Sequence, residues 1–431
     1  MPAFRLVLCA KKRMLIYIYK YFSKFFWTLS EKIITLRPYY YTNTLMRKHF
    51  LDNLRWSVVL AVLVYHVFYN FNAEGVFGGL GSFAEVQYQD SIMYVLYPWF
   101  MILLFLVSGV CSRYALASKG PKEFVRSRTL KLLVPSTVGL FVFQWILGYF
   151  NTRIAGAWDS IPLFARYPVM VLSGVGPLWF IQLLWLYSLL AAVIYQIIPE
   201  RIFPGQIFQE KDSQAAGSVT SAATSASGPA PASGLSRKLA VGLALLVGGF
   251  LLLWGAAQSQ IDSPSTAQGL LNLYRPAFYI VPFLLGYFIF SDERVQDLLA
   301  GFSLPLLVAA IAGAVLYTLH YFGADYTSPA CLQSVWTNLY AWVATLAMFG
   351  CYKRWADRTS PVADYLTRSS FGLYIVHMAV CTGLCFLLKS SGLPVWSIYC
   401  LALAGTAAGS VFLYELLRRI PVLRWCVFGI K

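Results

Sequence analysis

The sequence is poor in charge and in histidine. Only 12% of its 431 residues are charged, and only four are histidines. A soluble globular domain carries roughly 25% charged residues, so this chain lacks the polar surface needed to cover a water-soluble globule. The same shortage excludes an intrinsically disordered chain and a coiled coil for most of the length, because both need abundant polar residues.

The sequence is instead rich in long apolar runs. Hydrophobic residues make up 58% of the chain, and their runs reach about 20 residues, the length of a transmembrane helix. A membrane β-barrel would show shorter segments of roughly 10 alternating residues. The eight cysteines lie mostly inside the apolar runs without the paired spacing of a metal site, so we expect them to be buried. The sequence therefore predicts an all-α, polytopic integral membrane protein.

Ten apolar segments are candidate transmembrane helices. They cover residues 54–72, 92–112, 132–150, 177–198, 239–257, 273–290, 303–322, 332–352, 366–388 and 395–417. A further apolar patch at 161–174 is too short and interrupted to span a membrane. We expect it to form part of an external loop or a re-entrant segment.

The distribution of positive charge predicts the orientation of these helices. The chain has 34 Lys and Arg against 18 Asp and Glu, a net charge of +16. In a soluble protein this excess would suggest nucleic acid, whereas in a membrane protein Lys and Arg collect on the cytoplasmic side. If the N-terminus is cytoplasmic, 29 of the 34 Lys and Arg fall on the inner side and 4 on the outer side. We therefore expect both termini in the cytoplasm and no nucleic-acid partner.

Four regions follow from the composition. Residues 1–46 are a basic, aromatic extension that fits an interfacial helix on the inner membrane surface; alternatively, Met46 is the true start. Residues 47–204 hold the first four predicted helices, and residues 238–431 hold the last six. Residues 205–237, rich in Ala, Ser, Gly, Thr and Pro, are predicted to be a flexible cytoplasmic linker.

Ionisable residues inside the predicted spans are costly in lipid and mark candidate functional sites. Arg55 and His66 are 11 residues apart, so at about 100° per residue they project from one face of the first helix, about 16 Å apart along its axis. Asp52 precedes Arg55 by three residues and can pair with it. The alternative is that Arg55 only anchors the helix at the lipid headgroups and His66 is a satisfied polar group of the core.

The loop after the second span, SRYALASKGPKEFVRSRTLKLLVP, is strongly basic. It is either a topology signal or a phosphate site, in which Arg forks onto phosphate oxygens and Lys adds a point charge. Its candidate residues are Arg126, Arg128 and Lys131. Arg128 and Lys131 are three residues apart and can share a face near the start of the third helix.

Two further spans carry candidate polar and aromatic groups. In the ninth span, SSFGLYIVHMAV places Tyr374 and His377 three residues apart on one face. Trp179 opens the fourth span in GPLWFIQLLW, where an aromatic belt residue at the outer interface is the ordinary expectation.

In this order along the chain, these motifs resemble those of the membrane acyltransferase-3 family. The Arg-x10-His of LDNLRWSVVLAVLVYH resembles its first-helix signature and FLVSGVCSRY its second-helix Ser-Gly segment. RTLKLLVP resembles its Arg-x2-Arg-x3-Pro motif, PLWFIQ its Leu-Trp-Phe segment, and SSFGLYIVH its Tyr-x2-His helix. The ending YELLRRIPVLRWCVFG resembles the subgroup that succinylates osmoregulated periplasmic glucans. The similarity covers about 47–431 apart from the linker and departs at Lys131, where the motif has Arg.

The resemblance implies transfer of an acyl group, acetyl or succinyl, from cytoplasmic acyl-coenzyme A to a hydroxyl of an envelope or surface glycan. It implies a multi-pass protein of the bacterial inner membrane, with no permanently bound cofactor. The expected partners are membrane lipids, acyl-coenzyme A and a glycan or lipid-linked sugar. A related alternative has a small cytoplasmic or lipidic molecule as the acceptor.

The resemblance also implies roles for the candidate residues. His66 would be the catalytic residue, as general base or acyl carrier, with Arg55 and its partner Asp52 in the same catalytic group. The remaining candidates are the donor-binding residues Arg126, Arg128 and Lys131 and the acceptor-binding residues Trp179, Tyr374 and His377. The rival interpretation is a transporter or exporter of a glycan or small metabolite, in which His66 and His377 relay protons and Arg55 clamps the substrate.

Overall fold

A computed structural model of the chain describes residues 48–74, 79–197, 234–259 and 274–430. Within these ranges the chain is mostly helical and has no β-strand, which confirms the all-α, polytopic class. The predicted extension 1–46 lies outside the described residues, as does the predicted linker up to residue 233. The last four residues of that linker, 234–237, already belong to a helix.

Internal contacts divide the chain into two units. One comprises Met1–Met46 and Pro199–Gly248, and its described part is a single helical stretch. The other comprises Arg47–Ile198 and Gly249–Lys431 and contains all the candidate site residues.

The helices of the described residues are numbered α1 to α14. They are α1 (His49–Asn70), α2 (Ser91–Lys119), α3 (Pro121–Ile154), α4 (Leu163–Ser173), α5 (Leu178–Ile197), α6 (Gly234–Ala257), α7 (Pro276–Phe290), α8 (Glu293–Gly301), α9 (Ser303–Tyr321), α10 (Pro329–Leu332), α11 (Val335–Trp355), α12 (Pro361–Lys389), α13 (Val395–Leu417) and α14 (Pro421–Phe428). The third helix contains two π-helical segments, Thr129–Leu133 and Leu140–Gln144, and α7 ends in another, Gly286–Phe290.

Eight of the described helices are long and apolar enough to cross a membrane: α1, α2, α3, α5, α6, α9, α12 and α13. Each coincides with a predicted span. The other two predicted spans, 273–290 and 332–352, are also helical. However, α7 is too short to meet the same criterion, and α11 is less apolar because it carries Asn338, Lys353 and Arg354.

Segments predicted to lie on the same side of the membrane contact one another. On the predicted inner side, Lys48 Nζ lies 2.6 Å from Glu293 Oε1 in an ion pair that joins α1 to α8. On the predicted outer side, Lys389 Nζ at the end of α12 donates to the carbonyl oxygen of Ser82 at 2.6 Å. Both contacts join chain segments that are distant in sequence, and both agree with the predicted alternation of loops.

The patch at 161–174 folds back into the bundle. It forms α4, whose end packs on α3: Asn151 Nδ2 donates to the Ser173 carbonyl oxygen at 2.7 Å, and a Cβ on Gly174 would meet the Gln144 carbonyl oxygen. The chain thus returns along α3 to the level of its second π-helical segment before α5 begins. This fold-back matches the re-entrant alternative for the patch.

Glycines bring α2 and α7 into close contact. A Cβ on Gly109, the glycine of the Ser-Gly segment, would meet the carbonyl oxygen of Phe283, and a Cβ on Gly286 would meet that of Leu106. Without a hydrophobic driving force between helices in lipid, such close approach at small residues is a main source of helix association. The structure therefore gives Gly109 a packing role.

Replacing Gly286 by Val tests this packing. The added side chain would press on the backbone of α2, and overpacking of this kind costs roughly 1–3 kcal/mol. We expect Gly286→Val to lower the melting midpoint of the detergent-solubilised protein by several degrees. Gly255→Val is the matched control, because a Cβ there meets nothing within 4 Å. Equal midpoints for the two variants would contradict the tight α2–α7 contact.

Candidate functional site

His66 and His377 meet inside the helical bundle. His66 Nδ1 lies 3.2 Å from His377 Nε2, and the ring centroids are 5.0 Å apart. The contact depends on the packing of α1 against α12, which brings together two residues 311 positions apart in sequence. His377 is 0% exposed, whereas His66 is half-buried. Sequence reasoning placed each histidine in a span but did not predict that they touch.

The hydrogen bonds of the two rings allow one assignment of their protons. A carbonyl oxygen only accepts, so His377 Nδ1, 2.7 Å from the Tyr374 carbonyl oxygen, donates a proton to it. His66 Nδ1, 2.8 Å from the Val62 carbonyl oxygen, donates for the same reason. His377 Nε2 then has a lone pair and accepts from His66 Nδ1, whose proton is shared between two acceptors.

With both rings neutral, this assignment leaves His66 Nε2 unprotonated. Nothing in the described part of the chain forms a hydrogen bond to that nitrogen, and the side chain is only half-buried. A neutral imidazole with an available lone pair can take a proton from a hydroxyl group or attack an acyl carbon. The fully buried His377 acts on this chemistry through His66, whose ring it orients.

Tyrosine rings surround His66 on its own helix. The ring centroids of Tyr65 and Tyr69 lie 5.2 and 5.9 Å from that of His66, both edge-on. Asn70 Nδ2 donates to the His66 carbonyl oxygen at 2.7 Å. The sequence analysis did not include these tyrosines, although Tyr69 follows His66 by three residues and therefore shares its face of the helix.

Tyr374 connects His377 to the start of α5. Its hydroxyl donates to the Pro177 carbonyl oxygen at 2.9 Å, and its ring centroid is 5.6 Å from that of His377. The side chain is 4% exposed. Tyr374 therefore fixes the position of the start of α5. Its hydroxyl proton is used in the hydrogen bond to Pro177.

Trp179 packs among aromatic rings of α2 and α7. Its ring centroid is 6.3 Å from that of Phe105, the middle residue of α2, and 5.4 Å from that of Tyr279. The ring also stacks on Tyr274, next to the predicted outer cation Arg275, with centroids 6.2 Å apart. A position at the outer interface therefore stays a prediction.

The first helix carries the predicted ion pair. Arg55 Nη1 lies 3.7 Å from Asp52 Oδ1, and the Arg55 side chain is 43% exposed. Both residues share the continuous helix α1 with His66, as the prediction of one face requires. The guanidinium is accessible from the end of the bundle that was predicted to be cytoplasmic.

Arg128 reaches toward α2 from α3. Its Nη2 lies 3.5 Å from the hydroxyl of Ser112, and its guanidinium lies 5.1 Å from the centroid of the Phe124 ring. Lys131 follows within the π-helical segment Thr129–Leu133 and is exposed, as is Arg126. Such π-helical turns are frequent at functional sites. Ser112, which the sequence analysis did not single out, stands at the end of the FLVSGVCS segment.

These cations form a cluster with little opposite charge. Arg128 lies close enough to Arg55 for the two charges to repel. Lys131 is repelled in the same way by Lys119, Arg128 and Arg55. Among the described residues, no ion pair engages Arg126, Arg128 or Lys131, while Arg55 has Asp52. Like charges held together without neutralisation suit a ligand with several negative charges, such as phosphates.

Comparison with known proteins gives one result. A family model described as an acyltransferase domain matches residues 48–415. No curated protein and no solved structure gives a significant match. The matched range contains every candidate site residue named above.

The proton assignment at His66 can be tested by nitrogen NMR. Because the chain has only four histidines, protein labelled with ¹⁵N-histidine gives few signals, and His66→Gln identifies those of His66. We expect a protonated Nδ1 and an unprotonated Nε2, since Nδ1 faces two acceptors. The exposed His320, changed to Gln, serves as the control and should leave the His66 signals in place. A protonated Nε2 on His66 would refute the assignment.

Proposed function

The chain is a multi-pass membrane protein of the acyltransferase-3 family, and from that membership we propose that it transfers an acetyl or succinyl group from cytoplasmic acyl-coenzyme A to a hydroxyl of an envelope or surface glycan. The observation that carries the proposal is the contact of His66 Nδ1 with His377 Nε2 and the Val62 carbonyl oxygen, which assigns the available lone pair of His66 to Nε2, on the helix that also carries Arg55 of the cation cluster. One end of this helix suits a polyanionic donor, and the other suits proton removal from an acceptor.

The donor end is built by the cation cluster. The phosphates of coenzyme A carry several negative charges, and Arg55, Arg128 and Lys131 supply charge that the described part of the chain leaves largely unpaired. Arg126 adds a fourth, exposed cation. From Arg55, the thin pantetheine arm extends along α1 over about 16 Å to His66. Lys131 offers a point charge in place of the bidentate fork that Arg would provide.

The transfer step balances at His66. The acceptor hydroxyl oxygen attacks the thioester carbonyl carbon while His66 Nε2 takes the hydroxyl proton. The carbon–sulfur bond then breaks, the thiolate of coenzyme A leaves, and His66 returns the proton to it. The products are an ester and free coenzyme A. General-base help of this kind is typically worth about 10²–10⁴-fold in rate. His377 stabilises the arrangement, because its Nε2 accepts from His66 Nδ1 while the ring is charged.

A covalent variant of this step uses the same nitrogen. His66 Nε2 attacks the thioester carbonyl carbon, the carbon–sulfur bond breaks, and coenzyme A leaves as a thiolate. The acceptor hydroxyl oxygen then attacks the acyl carbon, the bond to Nε2 breaks, and the released hydroxyl proton balances the charge of the thiolate. Both variants require an unprotonated Nε2. They differ in whether coenzyme A is released before the acceptor reacts.

The acceptor approaches from the other side of His66. The ring of Trp179 is half-buried and offers a face for stacking against a sugar, while Tyr374 shapes the wall through its bond to Pro177. A donor from the cytoplasm and an acceptor in the envelope place the protein in the bacterial inner membrane. Family membership favours transfer over the export of a glycan or small metabolite.

Replacing His66 by Ala should abolish transfer. With purified protein in lipid, labelled acetyl- or succinyl-coenzyme A and an envelope glycan extract, we expect a loss of at least 10²-fold, the typical contribution of a general base. His320→Ala, at an exposed histidine, is the matched control and should keep normal transfer. Normal transfer by the His66 variant, with the protein correctly inserted, would exclude the mechanism.

Reversing the charge at Arg128 should weaken binding of the acyl donor. We expect Arg128→Glu to raise the KM for acyl-coenzyme A about tenfold or more, because a charge-assisted contact is replaced by repulsion, with a smaller change in kcat. Arg419→Glu reverses an exposed charge on the same predicted side of the membrane and should leave the KM unchanged. If both variants keep the wild-type KM, the basic loop is a topology signal only.

A further inference from the structure

A cavity lies apart from the histidine site, at the predicted inner end of the bundle. It has a volume of about 310 Å³ and is walled by the first turns of α1, the end of α11 and the start of α12. This volume is at the lower end of the range for ligand pockets, roughly 300–1,000 Å³. None of the proposed donor-binding residues lines it.

A network of hydrogen bonds holds the cavity open between α1 and the loop after α11. Asn53 Nδ2 donates to the carbonyl oxygens of Ala356 and Arg358, each at 2.7 Å. Asn53 Oδ1 accepts from Trp56 Nε1 at 2.9 Å, which fixes that ring against the cavity. The walls are therefore positioned by buried polar contacts of Asn53, which is 7% exposed.

Three polar side chains that line the cavity have no partner among the described residues. Across the described residues, Ser57, Tyr352 and Arg358 form no side-chain hydrogen bond or ion pair. Each is a hydrogen-bond donor, and Arg358 also brings a full positive charge. A set of two hydroxyl groups and one guanidinium suits the oxygens of a phosphate group.

The nearby carboxylates form no ion pair with Arg358 among the described residues. Asp357 accepts from the Phe50 backbone N–H at 3.0 Å and lies 3.9 Å from Lys353 Nζ. Asp364 accepts at 2.8 Å from the hydroxyl of Thr359, a lining residue, and does not itself line the cavity. Arg358 is therefore the charged side chain of the lining.

The cavity also has an apolar rim. Trp355, which lines it, is 47% exposed, and Val362, next to the lining residue Ala363, is 68% exposed. Tryptophan concentrates at the headgroup level of membranes, and basic pockets between transmembrane helices on the cytoplasmic side bind anionic headgroups. A ligand with both a phosphate and apolar chains satisfies the donors and the rim together.

We propose that this cavity binds the headgroup of an anionic phospholipid from the inner leaflet, with its phosphate on Arg358, Ser57 and Tyr352 and its acyl chains passing Trp355. The lipid is a ligand separate from the acyl donor and the acceptor. Its site joins α1, which carries His66, to α12, which carries His377.

Native mass spectrometry of the detergent-solubilised full chain tests the proposal. The protein is titrated with phosphatidylglycerol or phosphatidylcholine, and the apparent Kd of the first bound lipid is measured. We expect wild type to prefer phosphatidylglycerol and Arg358→Gln to bind it about tenfold more weakly, the effect of losing a charge-assisted contact. Arg368→Gln is the matched control, because Arg368 is an exposed cation of α12, the helix that follows Arg358, and does not line the cavity.

Further measurements separate the possible outcomes. Arg358 has no side-chain partner to lose in the described part of the chain, so the melting midpoint of Arg358→Gln without lipid should equal that of wild type. Equal lipid affinities in the Arg358 and Arg368 variants would overturn the proposal. Coenzyme A or inorganic phosphate added in separate titrations should leave the first lipid in place; displacement of the lipid by coenzyme A would make the cavity part of the donor site and overturn the lipid assignment. Loss of transfer in His66→Ala is independent of all these results.

Discussion

The contact between His66 and His377 is the interaction on which the rest of the site depends. A lipid-embedded helix bundle has to satisfy its polar groups internally, and here one ring satisfies the other. In the assignment with both rings neutral, His377 donates to the backbone of α12 and accepts from His66. This places the proton of His66 on Nδ1 and leaves its other nitrogen without a hydrogen-bond partner in the described part of the chain.

The opposite end of α1 follows a different principle. Around Arg55, Arg128 and Lys131, three positive charges are gathered with one paired carboxylate, Asp52, among the described residues, and their repulsion is tolerated at an accessible end of the bundle. Helix α1 therefore connects Arg55, in the cation cluster, to the imidazole of His66. The spacing between the two is set by the helix rise alone, about 1.5 Å per residue, and does not depend on any loop.

The features predicted from sequence are those encoded in one helix at a time. The first helix, the Asp52–Arg55 pair and the stripe that leads to His66 all follow from periodicity. The packing of Trp179 against Phe105 and Tyr279 did not follow, because it depends on α4, whose eleven residues are too few for a span and whose path is set by contacts with α3. The pairing of His66 with His377 could not be predicted either, since helix packing over 311 positions leaves no periodic signal. Ser112 and Tyr69 escaped notice because their residue types are ordinary in membrane helices.

The fold-back of α4 has a mechanical consequence for the histidine pair. The Pro177 carbonyl oxygen, just before α5 begins, accepts from the hydroxyl of Tyr374, which is three residues before His377. The connection between α4 and α5 is thereby anchored to the helix that holds one of the two rings, so a displacement of α4 would be transmitted to α12.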